Sequence, residues 1–235
     1  MEWIQSMPFL AVLMGDLVDS ERHDDPQRLH ADFNEAIDRQ NALLAAAIAS
    51  PLTVTLGDEF QGLLQSLVAA ARAAREIRFD LMRRAVDCRF VIGLVDLKTA
   101  LNQERAWNMM GPGFAAARER LGEKRSGNRY RFSVPQDALL ETLLEAIGAS
   151  LTAIERNWSQ AQRDVVIALL EGASIAEVAR ARDVGIPNVY KVRSAGDYDL
   201  YTTEWNAVQQ ALGALDHRYG LPGADTWSTY SFTPA

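Results

Sequence analysis

Three carboxylates stand where short turns interrupt apolar sequence: Asp16, after the run Pro8 to Met14, and Asp58 with Glu59, between Leu52–Leu56 and Phe60–Leu64. Asn-Gly or Gly-Gly would close such a hairpin without charge, so the acidic pair carries information. Oxygen donors of this kind suit Mg²⁺, which takes one or two carboxylates, several waters and phosphate oxygens. Ser20 and Arg22 follow Asp16 in a loop leading to a helix N-terminus, where backbone N–H groups and a guanidinium can receive phosphate. Lys124, Arg125, Arg129 and Arg131 are the densest basic cluster. They read first as a solvated loop beside a short strand, and otherwise as contacts to a triphosphate across a cleft. Plainer readings stay open for the acids too: Asp16 capping its own loop, and Asp58 with Glu59 as a solvated turn.

The elements that must position these residues follow from periodicity. Pro8 to Met14 is continuously apolar and reads as a strand buried on both faces. Leu29, Phe33, Ile37, Leu44 and Ile48 recur near the helical period, and Ser50-Pro51 ends that helix. Two short strands, Leu52 to Leu56 and Phe60 to Leu64, form a hairpin. A second helix carries Leu64, Leu67, Ala71, Ala74, Ile77 and Leu81, and Cys88 to Val95 is a further strand. This is a βαββαβ order, an α+β fold of ferredoxin-like type. A right-handed crossover leaves a gap between the first two strands that the third fills. Asp16 and the hairpin turn then meet at one end of the sheet, on strands about 4.8 Å apart.

Composition is that of a globular chain: 235 residues, 48% hydrophobic and 23% charged. The single Cys88 reads as a small buried hydrophobe, and no sequence run is long enough for a membrane span. A soluble, cytoplasmic protein is expected. The net charge of −7 divides as −4 over residues 1–150 and −3 over 151–235, so nonspecific attraction to nucleic acid should be weak. No zinc spacing, phosphate-loop motif or nucleophile triad occurs.

Beyond a linking helix marked by Leu140, Leu143, Leu144, Ile147, Leu151 and Ile154, two capping boxes, Ser159 to Gln162 and Ser174 to Glu177, open successive helices. A tight turn at Asp183-Val184-Gly185 and a third short helix give the pattern of a helix-turn-helix. Asn188, Tyr190, Lys191 and Arg193 are its DNA-binding candidates, and a purely structural trihelical module is the alternative. Trp205, Val208, Leu212, Leu215 and Tyr219 mark one more amphipathic helix, whose aromatic edge would pack on this module or pair two chains. The expected division is 1–135, 136–157 as linker, 158–219, and a tail at 220–235.

The stretches FLAVLMGDLVDSER, TVTLGDEFQGLL, RFVIGL and GPGFAAARERL resemble the SatD family, which joins a nucleotidyl-cyclase-like palm domain to a helix-turn-helix; the resemblance runs from about Phe9 to about Leu212. The GDEF tetrad is also similar to the hairpin signature of diguanylate cyclases. By motif position the resemblance implies Asp16 and Asp58 as ligands of Mg²⁺ or Mn²⁺, Glu59 as a neighbouring ligand or catalytic base, a nucleoside triphosphate as ligand and a homodimer as the assembly. The chain departs from the family pattern at Gly93-Leu94-Val95, where Gly-x-Gly is usual. It departs again at Met110 and Ala115, where Asp and His are usual. These departures touch base or ribose recognition. They favour a nucleotide- and metal-binding sensor coupled to a DNA-binding regulator; a Mg²⁺-dependent nucleotidyl cyclase or nucleotidyltransferase is the alternative, and a protein-interaction scaffold the second.

Overall fold

The structure, a computed structural model, describes residues 9–55 and 57–227. Pro8, Leu56 and the last eight tail residues, all named in the expectations above, lie outside the described residues.

Strand β1 (Phe9–Leu17) leads through a 3₁₀ turn (Ser20–Arg22) to α1 (Pro26–Leu43), then to β2 (Ile48–Val54) and β3 (Glu59–Leu64), α2 (Leu67–Arg83) and β4 (Cys88–Asp96). The sheet order is β2-β3-β1-β4-β5, with β5 (Tyr130–Ser133) joining parallel to β4 and every other pair antiparallel. β3 therefore fills the gap beside β1, as the crossover argument requires. Alternation sorts the central strands between two layers. Ala11, Leu13 and Leu17 face the large core with α1 and α2, while Leu10, Val12 and Met14 meet Ala117 and Leu121 of α3 (Phe114–Gly122). Burial on both faces explains the unbroken apolar run.

Several boundaries differ from expectation: β1 runs on to Leu17, and β3 begins at Glu59. α1 ends at Leu43, and Ser50-Pro51 lies within β2 instead of stopping the helix. β2 is an edge strand whose register shifts on both sides of Ser50; an edge and a bulge are the places where a strand tolerates a residue without an N–H. The second helix begins after Ser66, whose hydroxyl accepts from the Ala69 amide, so Leu64 belongs to β3.

The C-terminal elements are α4 (Ala138–Asn157), α5 (Gln160–Leu170), α6 (Ile175–Ala181), α7 (Ile186–Ala195), α8 (Tyr198–Tyr219) and a short turn, α9 (Ala224–Trp227). Both capping boxes are present. Asp183 takes φ 52°, the left-handed conformation an Asp tolerates in a turn. The aromatic edge of α8 packs back on the sheet layer: Trp205 is buried against Tyr130 and under the Arg75 guanidinium, 4.4 Å away, and Tyr219 meets Phe9. Asp216 of α8 also caps α2, accepting from Ser66 Oγ at 2.6 Å and from the Leu67 amide at 2.7 Å. One apolar cluster therefore runs from the sheet through α8 to Val178 and Val189. Among the described residues no helix is long and apolar enough to cross a membrane.

Candidate functional site

The two halves of the acidic motif are joined by packing as well as by register. Gly15 pairs with Phe60, and a Cβ on Gly15 would lie 2.2 Å from the Phe60 ring. Only glycine admits that ring, which sets Asp16 level with Glu59 on β3 and Arg89 on β4. The Leu17 amide donates to the Asp58 carbonyl at 2.9 Å, closing the rim. Asp16 and Asp58 thus meet where β1 ends and β3 begins.

Asp16 is not a loop cap. It belongs to the strand, is 1% exposed, and its Oδ2 lies 3.1 Å from Arg89 Nε. Neither atom completes a hydrogen bond. Burial raises the Asp16 pKa, Arg89 and Lys124 oppose that shift, and Asp58 and Glu59 add to it.

In front of this row lies a polar cleft of about 500 Å³, lined among others by Ser20, Arg22, Asp58, Arg89, Lys124, Arg125, Arg129 and Arg156. That volume lies within the range of small-molecule sites. Ser20 Oγ donates to Asp58 Oδ2 at 2.8 Å, so the loop after β1 and the hairpin turn form one wall. Ser20, Arg22, Lys124, Arg125 and Arg129 line the same cleft as Asp58, and Arg131 does not. Glu59 is half-buried beside Asp16 and is not part of the lining.

The basic cluster divides in two. Lys124 and Arg125 are exposed at the cleft, but Arg129 and Arg131 are buried, which corrects the reading of a wholly solvated loop. Arg129 makes a two-pronged contact with Asp87, at 2.7 Å from Nη2 and 2.9 Å from Nε, and Arg131 pairs with Glu123 and Glu145, both at 2.7 Å. Asp87 also accepts from Arg78 at 2.8 Å. Arg78 continues inward to Glu155, which is fully buried and accepts from the Tyr130 and Tyr201 hydroxyls at 2.7 and 2.9 Å. A charged chain thus runs from the cleft wall to α8.

Burial works against the Asp87 carboxylate, yet the Arg129 hydrogen bonds and the Arg78 charge outweigh it and hold its pKa below the usual value. A lowered folded-state pKa stabilises above the unfolded value of about 3.9 and loses that contribution as pH falls through the folded value. Thermal melts should show stability dropping as the pH falls below about 4, and Asp87→Asn should flatten that part of the profile while lowering stability at pH 7. An unchanged profile would remove Asp87 from the account.

The site reading missed Arg89, Arg129 as a buried anchor, and Arg156. Arg89 carried a usable signal, a lone charge inside the apolar strand CRFVIGL; Arg156 carried none, because its place depends on how α4 lies across β5. The departures at Met110 and Ala115 flank a segment that runs beside the other end of β4, where the Asp96 amide donates to the Pro112 carbonyl at 3.0 Å. Gly113 there has φ 105°, and a Cβ would lie 2.1 Å from the Leu94 carbonyl. Asp96 pairs with Phe9 and Arg89 with Asp16, so the segment is a strand length, about 23 Å, from the cleft. Gly93 lies inside β4. Neither departure alters the cleft lining.

Asn188, Tyr190 and Lys191 are exposed on α7. Arg193 is less free: it pairs with Asp199 and lies over the Tyr198 ring at 4.5 Å.

Among the described residues no three His, Cys, Asp or Glu side chains are grouped to hold a metal ion. Asp58 on the cleft, with the other positions left to water and phosphate, fits a lighter form of site; Asp16 lies behind it, outside the lining, with its unbonded Oδ2 facing Arg89.

The chain belongs to the SatD family, whose profile matches residues 9–186. No curated protein sequence matches it. Among solved structures it is similar to a bacterial light-regulated adenylyl cyclase, at 12% identity over 53% of this chain and 75% of that one, with a TM-score of 0.38. It is also similar to the guanylate cyclase domain of RhGC from Catenaria anguillulae in complex with GTP, at 13% identity, 53% and 78% coverage, and a TM-score of 0.38. The adenylyl cyclase CyaB from P. aeruginosa is similar at 14% identity, 58% and 82% coverage, and a TM-score of 0.40.

Proposed function

We propose that the chain binds a nucleoside triphosphate in the cleft at the C-terminal end of β1. The supporting observation is convergence: Ser20, Arg22, Asp58, Lys124 and Arg125, drawn from three separate stretches of sequence, line one cavity. Lys124, Arg125 and Arg22 take the phosphate oxygens, Ser20 orients the Asp58 carboxylate, and Asp58 with Asp16 holds Mg²⁺ or Mn²⁺. The ion, when bound, supplies Lewis-acid polarisation of a phosphoryl group and activation of a ribose 3′-hydroxyl. Nucleotidyl cyclase or nucleotidyltransferase chemistry is the activity this arrangement suits, with Glu59 adding negative charge beside Asp16. A homodimer belongs to the same proposal. Crystals soaked with Mn²⁺ and a non-hydrolysable triphosphate are expected to show anomalous density beside Asp58; density elsewhere, or none at saturating ligand, would remove the reading.

A second reading couples the cleft to DNA. Exposure of Asn188, Tyr190 and Lys191 after the left-handed turn at Asp183 supports a helix-turn-helix, with residues 1–135 as palm domain, 136–157 as link and 158–219 as the DNA-facing part. Coupling requires nucleotide and DNA to change each other's affinity by one factor. Independent titrations would reject it.

A further inference from the structure

The cleft has a charge its chain does not share. Six basic and three acidic side chains line it, on a protein of net charge −7. Two of the acids, Asp19 and Glu21, are exposed at the lip, and Asp58 is engaged by Ser20. The inner wall is cationic. Arg89 is 7% exposed, lines the cavity, and its buried Nε faces Asp16 Oδ2 at 3.1 Å without completing a hydrogen bond. Arg129, 8% exposed, is fixed by Asp87 and by the Gly127 carbonyl at 3.2 Å. Arg156 stands beside it, and its own pKa is lowered, by burial first and then by the Arg129 charge. Among the described residues no side-chain hydrogen bond or ion pair engages Arg22, Lys124, Arg125 or Arg156.

Cations crowded in this way repel one another and lose hydration, and an oxyanion relieves both. A divalent cation arriving alone meets the same repulsion. We propose that the wall formed by Arg89, Arg129 and Arg156, with Lys124 and Arg125 at its edge, binds a polyphosphate anion directly, without a divalent metal ion. Arg129 is held in place by Asp87 and Arg89 by Asp16, so both supply field, whereas Arg156, with Lys124 and Arg125, is the group able to donate. Several cations spread over the cavity match two linked phosphoryl groups better than one. The anion then brings the negative charge that makes the neighbourhood of Asp58 hospitable to Mg²⁺, so anion precedes metal. This deepens the nucleotide reading by naming the order of binding, and it rests on the same cleft while needing no base or ribose contact.

The test is calorimetric titration of the full chain with inorganic pyrophosphate in EDTA at low salt. Saturable binding is expected, weakening as NaCl is added and falling about tenfold or more in Arg156→Gln. Should Arg156→Gln fail a thermal-melt check of folding, Lys124→Gln/Arg125→Gln, confined to an exposed loop, is expected to give a loss of the same order. Absence of saturable binding in EDTA, binding that requires Mg²⁺, or undiminished affinity in the folded variants would overturn the proposal. A parallel arm with ATP separates free polyphosphate from a nucleotide tail. If pyrophosphate binds in EDTA and no nucleoside triphosphate binds with Mg²⁺, the nucleotide reading fails and this one stands. The reverse pattern sinks this proposal alone.

Discussion

Glu155→Ala should cost about 3–5 kcal/mol, the range for removing one partner of a buried ion pair. The carboxylate is fully buried and serves Arg78, Tyr130 and Tyr201 together. Burial, then the Glu155 charge, pushes both phenols well above their usual pKa, so they remain donors at any physiological pH. Alanine would remove the acceptor that both hydroxyls share and leave Arg78 with Asp87 and the Cys88 carbonyl. Total stability of a domain is only about 5–15 kcal/mol. Urea denaturation should therefore show a large fall in midpoint or an unfolded variant, while Tyr201→Phe should lose only about 1 kcal/mol. A variant within 1 kcal/mol of the parent would mean that this chain of charges is not the tie between cleft and α8.

Arg89→Ala is the second large effect, and its size depends on conditions. Arg89 is the cation nearest Asp16, and its loss leaves a carboxylate that is 1% exposed without its partner. The cost in EDTA should approach about 3 kcal/mol; protonation of Asp16, whose pKa burial already raises, keeps it at the low end of the buried-pair range. In Mg²⁺ with a triphosphate the loss relative to the parent should be smaller, because the ion replaces Arg89 as the positive charge beside Asp16; ligand at a hundred times Kd stabilises either protein by about 2.7 kcal/mol. Denaturation in EDTA and in Mg²⁺ with nucleotide measures both. Equal losses under the two conditions would show that no metal reaches Asp16.

Much of the fold was legible because its signals are local. The continuous apolar run of β1, the Ser159 and Ser174 boxes and the period of α8 each declare themselves within a dozen residues. The end of α1 was not legible, since Leu44 and Ile48 keep the helical spacing while serving a turn and an edge strand. The rim of the site was legible for a topological reason: once β3 lies beside β1, Asp16 and the hairpin must meet. What lies around the rim depends on long-range packing. Arg129 and Arg131 look identical to Lys124 and Arg125 in sequence, and only Asp87, Glu123 and Glu145 separate buried anchors from free charges. The aromatic edge of α8 likewise showed that a partner was needed without showing which, and the partner is the sheet layer of the same chain.

The most direct test compares the parent chain with Asp58→Asn by titrating each nucleoside triphosphate in Mg²⁺ and in EDTA. Mg²⁺ should tighten binding to the parent by about tenfold or more, and the variant should keep the EDTA affinity but lose the gain. An equal Mg²⁺ gain in both proteins, or no binding of any triphosphate to the parent, would contradict the nucleotide reading.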